Sequence, residues 1–217
     1  MIKKRVAVLI SGRGSNMAAL IEAAKDATYP AGITLVLSNR PAAAGLGLAR
    51  ASAIATAVVD HALYGQDREA FERAMQELLE GHRIELICLA GFMRLLTPWF
   101  VGRWQGRMIN IHPALLPAFK GLDTHRRALA AGVKIHGASV HFVVPDTDSG
   151  PIIAQGAIGV RDDDTAATLA ARVLAIEHRI YPAALALLAA GRIRVADGRC
   201  RIDGAAGAAG HLIVPEI

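Results

Sequence analysis

The chain has 217 residues, 53% of them hydrophobic and 20% charged, with a formal net charge of +5. That length holds one sizeable core, and so apolar a composition excludes a disordered chain. Its basic residues are scattered, and the densest runs, Lys3-Lys4-Arg5 and the stretch Arg192 to Arg201, carry no interleaved aromatics. The charge therefore points to small anionic substrates ahead of nucleic acid.

Short runs rich in β-branched residues alternate with helix-like stretches. Residues 5–11 follow a basic start and turn directly into a glycine-rich loop, so they read as a first strand and not as a signal peptide. Strands are expected again at 33–38, 54–60, 84–90 and 108–111, and helices at 16–27, 42–53, 67–80 and 97–104. Cys88 lies in one of these apolar runs and reads as a core hydrophobe. With Cys200 far away, the two cysteines make neither a disulfide framework nor a zinc site, and no metal is expected. Repeated strand–helix–strand units imply an α/β fold: one doubly wound, mostly parallel sheet with helices on both faces, binding ligands at the carboxyl ends of its strands.

Beyond residue 123 a short helix (124–131), two strands (136–144 and 152–160) and a long helix (164–190) are expected. Asp162 to Asp164 should supply the acidic cap of that long helix. Residues 192–195 and 200–202, joined through Asp197-Gly198, read as a small hairpin. Residues 1–203 form the expected catalytic domain, and 204–217, rich in Ala and Gly, the expected loosely ordered tail. No stretch has the roughly 20 uncharged apolar residues that a membrane-spanning helix needs, and the reducing cytoplasm is the expected location.

Three features bear chemistry. The first is Ser11-Gly12-Arg13-Gly14-Ser15-Asn16, between a strand and a helix. Glycines there permit a tight turn and expose amides at the positive helix end, which suits a phosphate; the bland reading is a turn alone. Met17 at the third glycine position rules out a dinucleotide fingerprint. The second is Asn110-Ile111-His112-Pro113 at a strand end. Residues two apart on a strand share a face, so an amide donor and an imidazole can aim at one developing oxyanion, or both can satisfy nearby backbone. The third is the 145–151 turn, in which a carboxylate could pair with His112.

Together with Leu89-Ala-Gly-Phe-Met-Arg94, Thr124-His125-Arg-Arg-Ala-Leu129 and Gly137-Ala-Ser-Val-His-Phe142, these motifs resemble the phosphoribosylglycinamide formyltransferases, in order and spacing, from about residue 5 to 195. The resemblance implies direct formyl transfer from 10-formyltetrahydrofolate, as co-substrate, to the amine of glycinamide ribonucleotide. It implies a catalytic group of Asn110, His112 and Asp148, in which Asp148 raises the His112 pKa by favouring the imidazolium. It implies substrate binding by Gly14, Ser15, Asn16 and Glu177, the last on the ribose hydroxyls. Folate contacts fall to Arg68, Met93, Arg94, Leu95, Leu96, Asn110 and the backbone of 145–150. His125 and His141 read as structural. Ala114, Ala118, Ser149 and Leu174 depart from the residues common in the family.

Two relatives share the Asn-x-His…Asp core. Methionyl-tRNA formyltransferase carries an added C-terminal tRNA-binding domain, and formyltetrahydrofolate deformylase an added N-terminal regulatory one; the chain is expected to hold neither. A non-catalytic nucleotide-binding module is the alternative of a different class. The expected partners are small molecules, with no nucleic acid or membrane, and the expected state is a monomer or weak homodimer.

Overall fold

The computed structural model describes residues 2–204 and 212–214. Its elements are β1 (Lys4–Ile10), α1 (Ser15–Ala24), β2 (Ala31–Ser38), α2 (Gly45–Ala51), β3 (Ala55–Val58), a 3-10 turn (His61–Tyr64), α3 (Arg68–Gly81), β4 (Leu86–Leu89), α4 (Pro98–Arg103) and β5 (Met108–His112). They continue with α5 (Thr124–Ala130), β6 (Ile135–Phe142), β7 (Ile152–Gly159), α6 (Ala166–Ala189), β8 (Ile193–Ala196) and β9 (Arg199–Ile202). The 3-10 turn, capped by the Asp60 carboxylate on the Ala62 amide, was not expected.

Seven strands form one sheet in the order β3-β2-β1-β4-β5-β6-β7, and β8 and β9 pair as a separate hairpin. β1 to β5 run parallel, whereas β6 and β7 are antiparallel to their neighbours. From Val6 to Ile10, β1 is fully buried on both faces, as a central strand of a parallel sheet must be. Val6, Val8 and Ile10 pack towards Met17, Leu20, Tyr181 and Leu185 of α1 and α6. Ala7 and Leu9 face the other way, towards Phe71, Met75 and Leu79 of α3 and Phe100 of α4. Each large apolar side chain so buried contributes about 1.5–3 kcal/mol, which makes the two-sided core the main source of stability.

α3, α4 and α6 start on side-chain caps. Asp67 accepts the Ala70 amide (2.9 Å) at α3, and Thr97 precedes Pro98 at α4, where a proline loses no hydrogen bond. At α6 the expectation of an aspartate cap is corrected. Thr165 and Thr168 cap each other reciprocally, while Asp164 accepts the Arg161 amide and pairs with Arg172 at 2.6 Å. Residues 205–211 and 215–217 of the expected tail lie outside the described residues.

The chain winds outward from β1 through β2 to β3 and then returns to β4 on the other side of β1. This reversal makes the carboxyl ends of β1 and β4 a switch point, where a crevice opens above the sheet. β5 ends beside it, and the antiparallel register sets Asn110 directly opposite His141 and His112 opposite Ser139.

Candidate active site

The loop after β1 ends at Gly14, whose φ of +79° is a backbone region that other residues enter only with strain. A Cβ there would also lie 3.0 Å from the Gly45 Cα and 3.0 Å from the Met17 Cε. The turn leaves the first amides of α1 without helical partners, and no acidic side chain occupies that first turn. Ser15 and Asn16 therefore sit where an anion is stabilised. Asn16 Nδ2 donates to Glu177 Oε2 at 2.5 Å, joining the loop to α6. Glu177 is only 7% exposed, and burial raises its carboxyl pKa despite that bond. Asn16 Oδ1 is buried with no hydrogen-bond partner among the described residues, an acceptor waiting for a donor.

At the end of β5, Asn110 Nδ2 lies 3.2 Å from His141 Nε2. His141 Nδ1 donates to the Phe142 carbonyl (2.8 Å), which fixes the ring with Nε2 turned towards Asn110. The His141 ring thus fixes which way the Asn110 amide points. Asp148 lies between the two imidazoles, with Oδ2 at 3.3 Å from His112 Nδ1 and Oδ1 at 3.6 Å from His141 Nε2. The Gly121 amide donates to the same Oδ2 at 2.9 Å. Burial opposes the Asp148 charge, but the close His141 ring, the Gly121 amide and the His112 ring outweigh it and hold the carboxyl below its usual range. The turn that presents Asp148 is tight: a Cβ on Gly150 would meet the Phe142 carbonyl oxygen at 1.9 Å.

Contact between Asp148 and His112 is as expected, but the sign of the His112 shift is the reverse. His112 is 5% exposed, and loss of water lowers its pKa more than the Phe119 carbonyl and Asp148 raise it. Its Nε2 donates to the Phe119 carbonyl at 3.0 Å. Both ring nitrogens face oxygen acceptors, so the surroundings are already arranged to hold the imidazolium once a proton arrives. His125 and His136 pack edge to face at 5.3 Å, and burial drives the His136 pKa down to about 4.

A cavity of about 320 Å³ opens on this group. Asn110, His141 and Asp148 line it, together with Arg68, Arg94, Leu95, Leu96, Phe92, Val143, Val144 and Thr147. Of the expected folate contacts, Met93 does not line the cavity, and its side chain is 59% exposed. His112 is set behind the lining, in contact with it through Asp148. His141, read from the sequence as structural, lies against the group; its signal was one of two imidazoles in an otherwise apolar strand, but its partner depends on the β5–β6 register. Among the departures, Ala114 is fully buried with its carbonyl on Ser139 Oγ (2.7 Å), and Ser149 Oγ accepts from Lys120 at 2.7 Å.

Residues 4–185 match the family model described as formyl transferase. The trifunctional purine biosynthetic protein adenosine-3 of Bos taurus is 49% identical over 195 residues; these are 90% of this chain but only 19% of that protein, so the chain spans about a fifth of that relative's length. Phosphoribosylglycinamide formyltransferase of Escherichia coli is 41% identical over 92% of this chain and 93% of its own. The crystal structure of glycinamide ribonucleotide transformylase 1 from Symbiobacterium toebii superposes with a TM-score of 0.89 at 42% identity, covering 92% of this chain and 94% of that one. The match along almost the whole fold makes this chain a member of the formyl transferase family.

Proposed function

We propose that the chain transfers the formyl group of 10-formyltetrahydrofolate to the amine of glycinamide ribonucleotide, giving the N-formyl ribonucleotide and tetrahydrofolate, a step of purine synthesis. The observation that carries this reading is the joining of Asn110, His112 and Asp148 at the end of β5, on a cavity also lined by Arg68 and Arg94. The near full-length relatives named for this reaction support the choice of substrates.

In this reading the folate ring system enters the cavity between Arg68 and residues 94–96, and the phosphate binds at Gly14, Ser15 and Asn16. Glu177 and the unpartnered Asn16 Oδ1 take ribose hydroxyls. The amine attacks the formyl carbon, and the new C–N bond leaves negative charge on the formyl oxygen. An amide hydrogen of Asn110, which lines the cavity, faces that charge. The proton lost by the attacking amine passes by way of Asp148, which lines the cavity, to His112, neutral at rest because it is buried, and Asp148 stabilises the imidazolium. The proton then goes to the folate nitrogen as its bond to the formyl carbon breaks.

No group of three His, Cys, Asp or Glu side chains suited to a metal occurs among the described residues, and the steps above use none. No helix among them is long and apolar enough to cross a membrane. The reading has the protein act in the cytoplasm on small molecules, as a monomer or weak homodimer. The test is incubation with both substrates: equal amounts of tetrahydrofolate and N-formyl ribonucleotide should form, and absence of the formylated product would refute it.

A further inference from the structure

One side chain of the glycine-loop motif turns away from the phosphate site. Ser11, 5% exposed at the end of β1, donates its hydroxyl hydrogen to Asn39 Oδ1 at 2.5 Å. The same hydroxyl oxygen accepts the Met93 amide at 2.8 Å, and the Ser11 amide donates to the Gly91 carbonyl at 3.2 Å. Asn39 is itself 1% exposed, with its carbonyl accepting from His61 Nδ1 at 2.8 Å, so the serine is held by a fixed partner. A second buried group grips the far end of the same segment. Glu72 of α3, 1% exposed, accepts the Thr97 amide at 2.7 Å with one carboxylate oxygen and the Thr97 hydroxyl with the other.

Between these two grips, residues 91–97 belong to no helix or strand, yet Arg94, Leu95 and Leu96 form a wall of the cavity. A segment without its own backbone ladder holds one shape only if outside groups hold it. A buried carboxylate carries a desolvation cost that an apolar side chain of similar size would avoid. Thr97 already caps α4 with its own hydroxyl, so α4 does not require Glu72 for its cap.

We propose that Ser11 and Glu72 are positioning residues for the folate substrate, clamping the two ends of residues 91–97 and so setting the cavity wall that neither of them lines. The inference rests on the reading of this cavity as the folate site. Ser11, part of a motif read as a phosphate loop, then serves the other substrate through its side chain. Loosening either end lets the wall shift and weakens folate binding, while the ribonucleotide keeps its grips on residues 14–16 and Glu177.

The test measures both KM values and kcat for Ser11→Ala, Glu72→Gln and Thr97→Val, with Val144→Trp, which fills the cavity, beside them. The clamp variants should raise the folate KM about tenfold, the loss expected for a buried hydrogen bond. The ribonucleotide KM should stay within about twofold, and kcat at saturation near that of the unaltered chain. A merely structural role would lower the active fraction, and so kcat, with both KM values unchanged. Thr97→Val removes the one hydroxyl that meets Glu72 and caps α4, keeps the shape of the side chain, and carries the test if Glu72→Gln or Ser11→Ala fails to fold. Unchanged folate KM in the clamp variants, or an equal rise in both KM values, overturns the proposal if Val144→Trp still weakens folate binding. A Val144→Trp protein with unaltered folate KM overturns the cavity reading itself, and the clamp with it.

Discussion

Replacing Asp148 by asparagine removes one charge from the site while keeping its shape. The carboxylate oxygen lies 3.3 Å from His112 Nδ1, and both side chains are almost fully buried. Unit charges at that separation attract by about 1 kcal/mol in water and about 5 kcal/mol at an effective dielectric of 20. If the imidazolium forms only as the amine loses its proton, that attraction is felt mainly in the transition state. The kcat of Asp148→Asn should therefore fall by between about tenfold and a few thousandfold, with both KM values little changed. The ring titration carries a sign. Burial already sets the His112 pKa below its ordinary value, and Asp148 is among the groups that oppose the drop. Without the carboxylate, the pKa should move further down, and NMR titration of the His112 ring in the ligand-free protein reads this directly. An unmoved or raised His112 pKa together with an unchanged kcat would show that the two residues do not act as a unit.

Other perturbations have comparable consequences. Asn110→Ala should lower kcat by about 10²–10³, the range for one oxyanion donor, and the double variant with His112→Ala should cost less than the two singles combined. Glu177→Gln should weaken ribonucleotide binding by about 1–3 kcal/mol in calorimetry. Because burial raises the Glu177 pKa, affinity of the unaltered chain should also fall as pH drops through that raised value, while the glutamine variant shows a flatter profile. Gly14→Val, at a φ of +79° and with its Cβ against Gly45, should raise the ribonucleotide KM and spare that of folate. His136 titrates near 4 in the fold and near 6.5 unfolded, so the unfolded chain binds more protons between those values. Stability should therefore be full above pH 6.5 and fall by about 3 kcal/mol as pH drops to 4, a loss that denaturant titrations of His136→Phe should show reduced.

Much of this architecture is readable from side-chain pattern. The apolar runs of β1 and β4 and the second half of β2 are buried on both faces, so they stand out without any knowledge of pairing. Asn110 and His112 could be placed on one face because strand periodicity is local. Asp148 was reachable by residue type but singled out only by resemblance, since Asp146 offers a second carboxylate in the same turn. What stayed hidden depends on long-range register and burial depth. His141 meets Asn110 only through the antiparallel pairing of β5 with β6, and Glu72 resembles any charged residue of an amphipathic helix until Thr97 is seen to cover it. The sign of the His112 shift was missed for the same reason: a sequence names the carboxylate beside the ring but not the water removed from around it.

The most direct test follows a labelled formyl group in a single turnover. With 10-formyltetrahydrofolate carrying the label, excess protein and glycinamide ribonucleotide, the label should appear on the ribonucleotide amine, and release of tetrahydrofolate should require the amine. Label recovered as formate, at the same rate with or without the ribonucleotide, would mean that water is the acceptor and that the site hydrolyses formyl-folate.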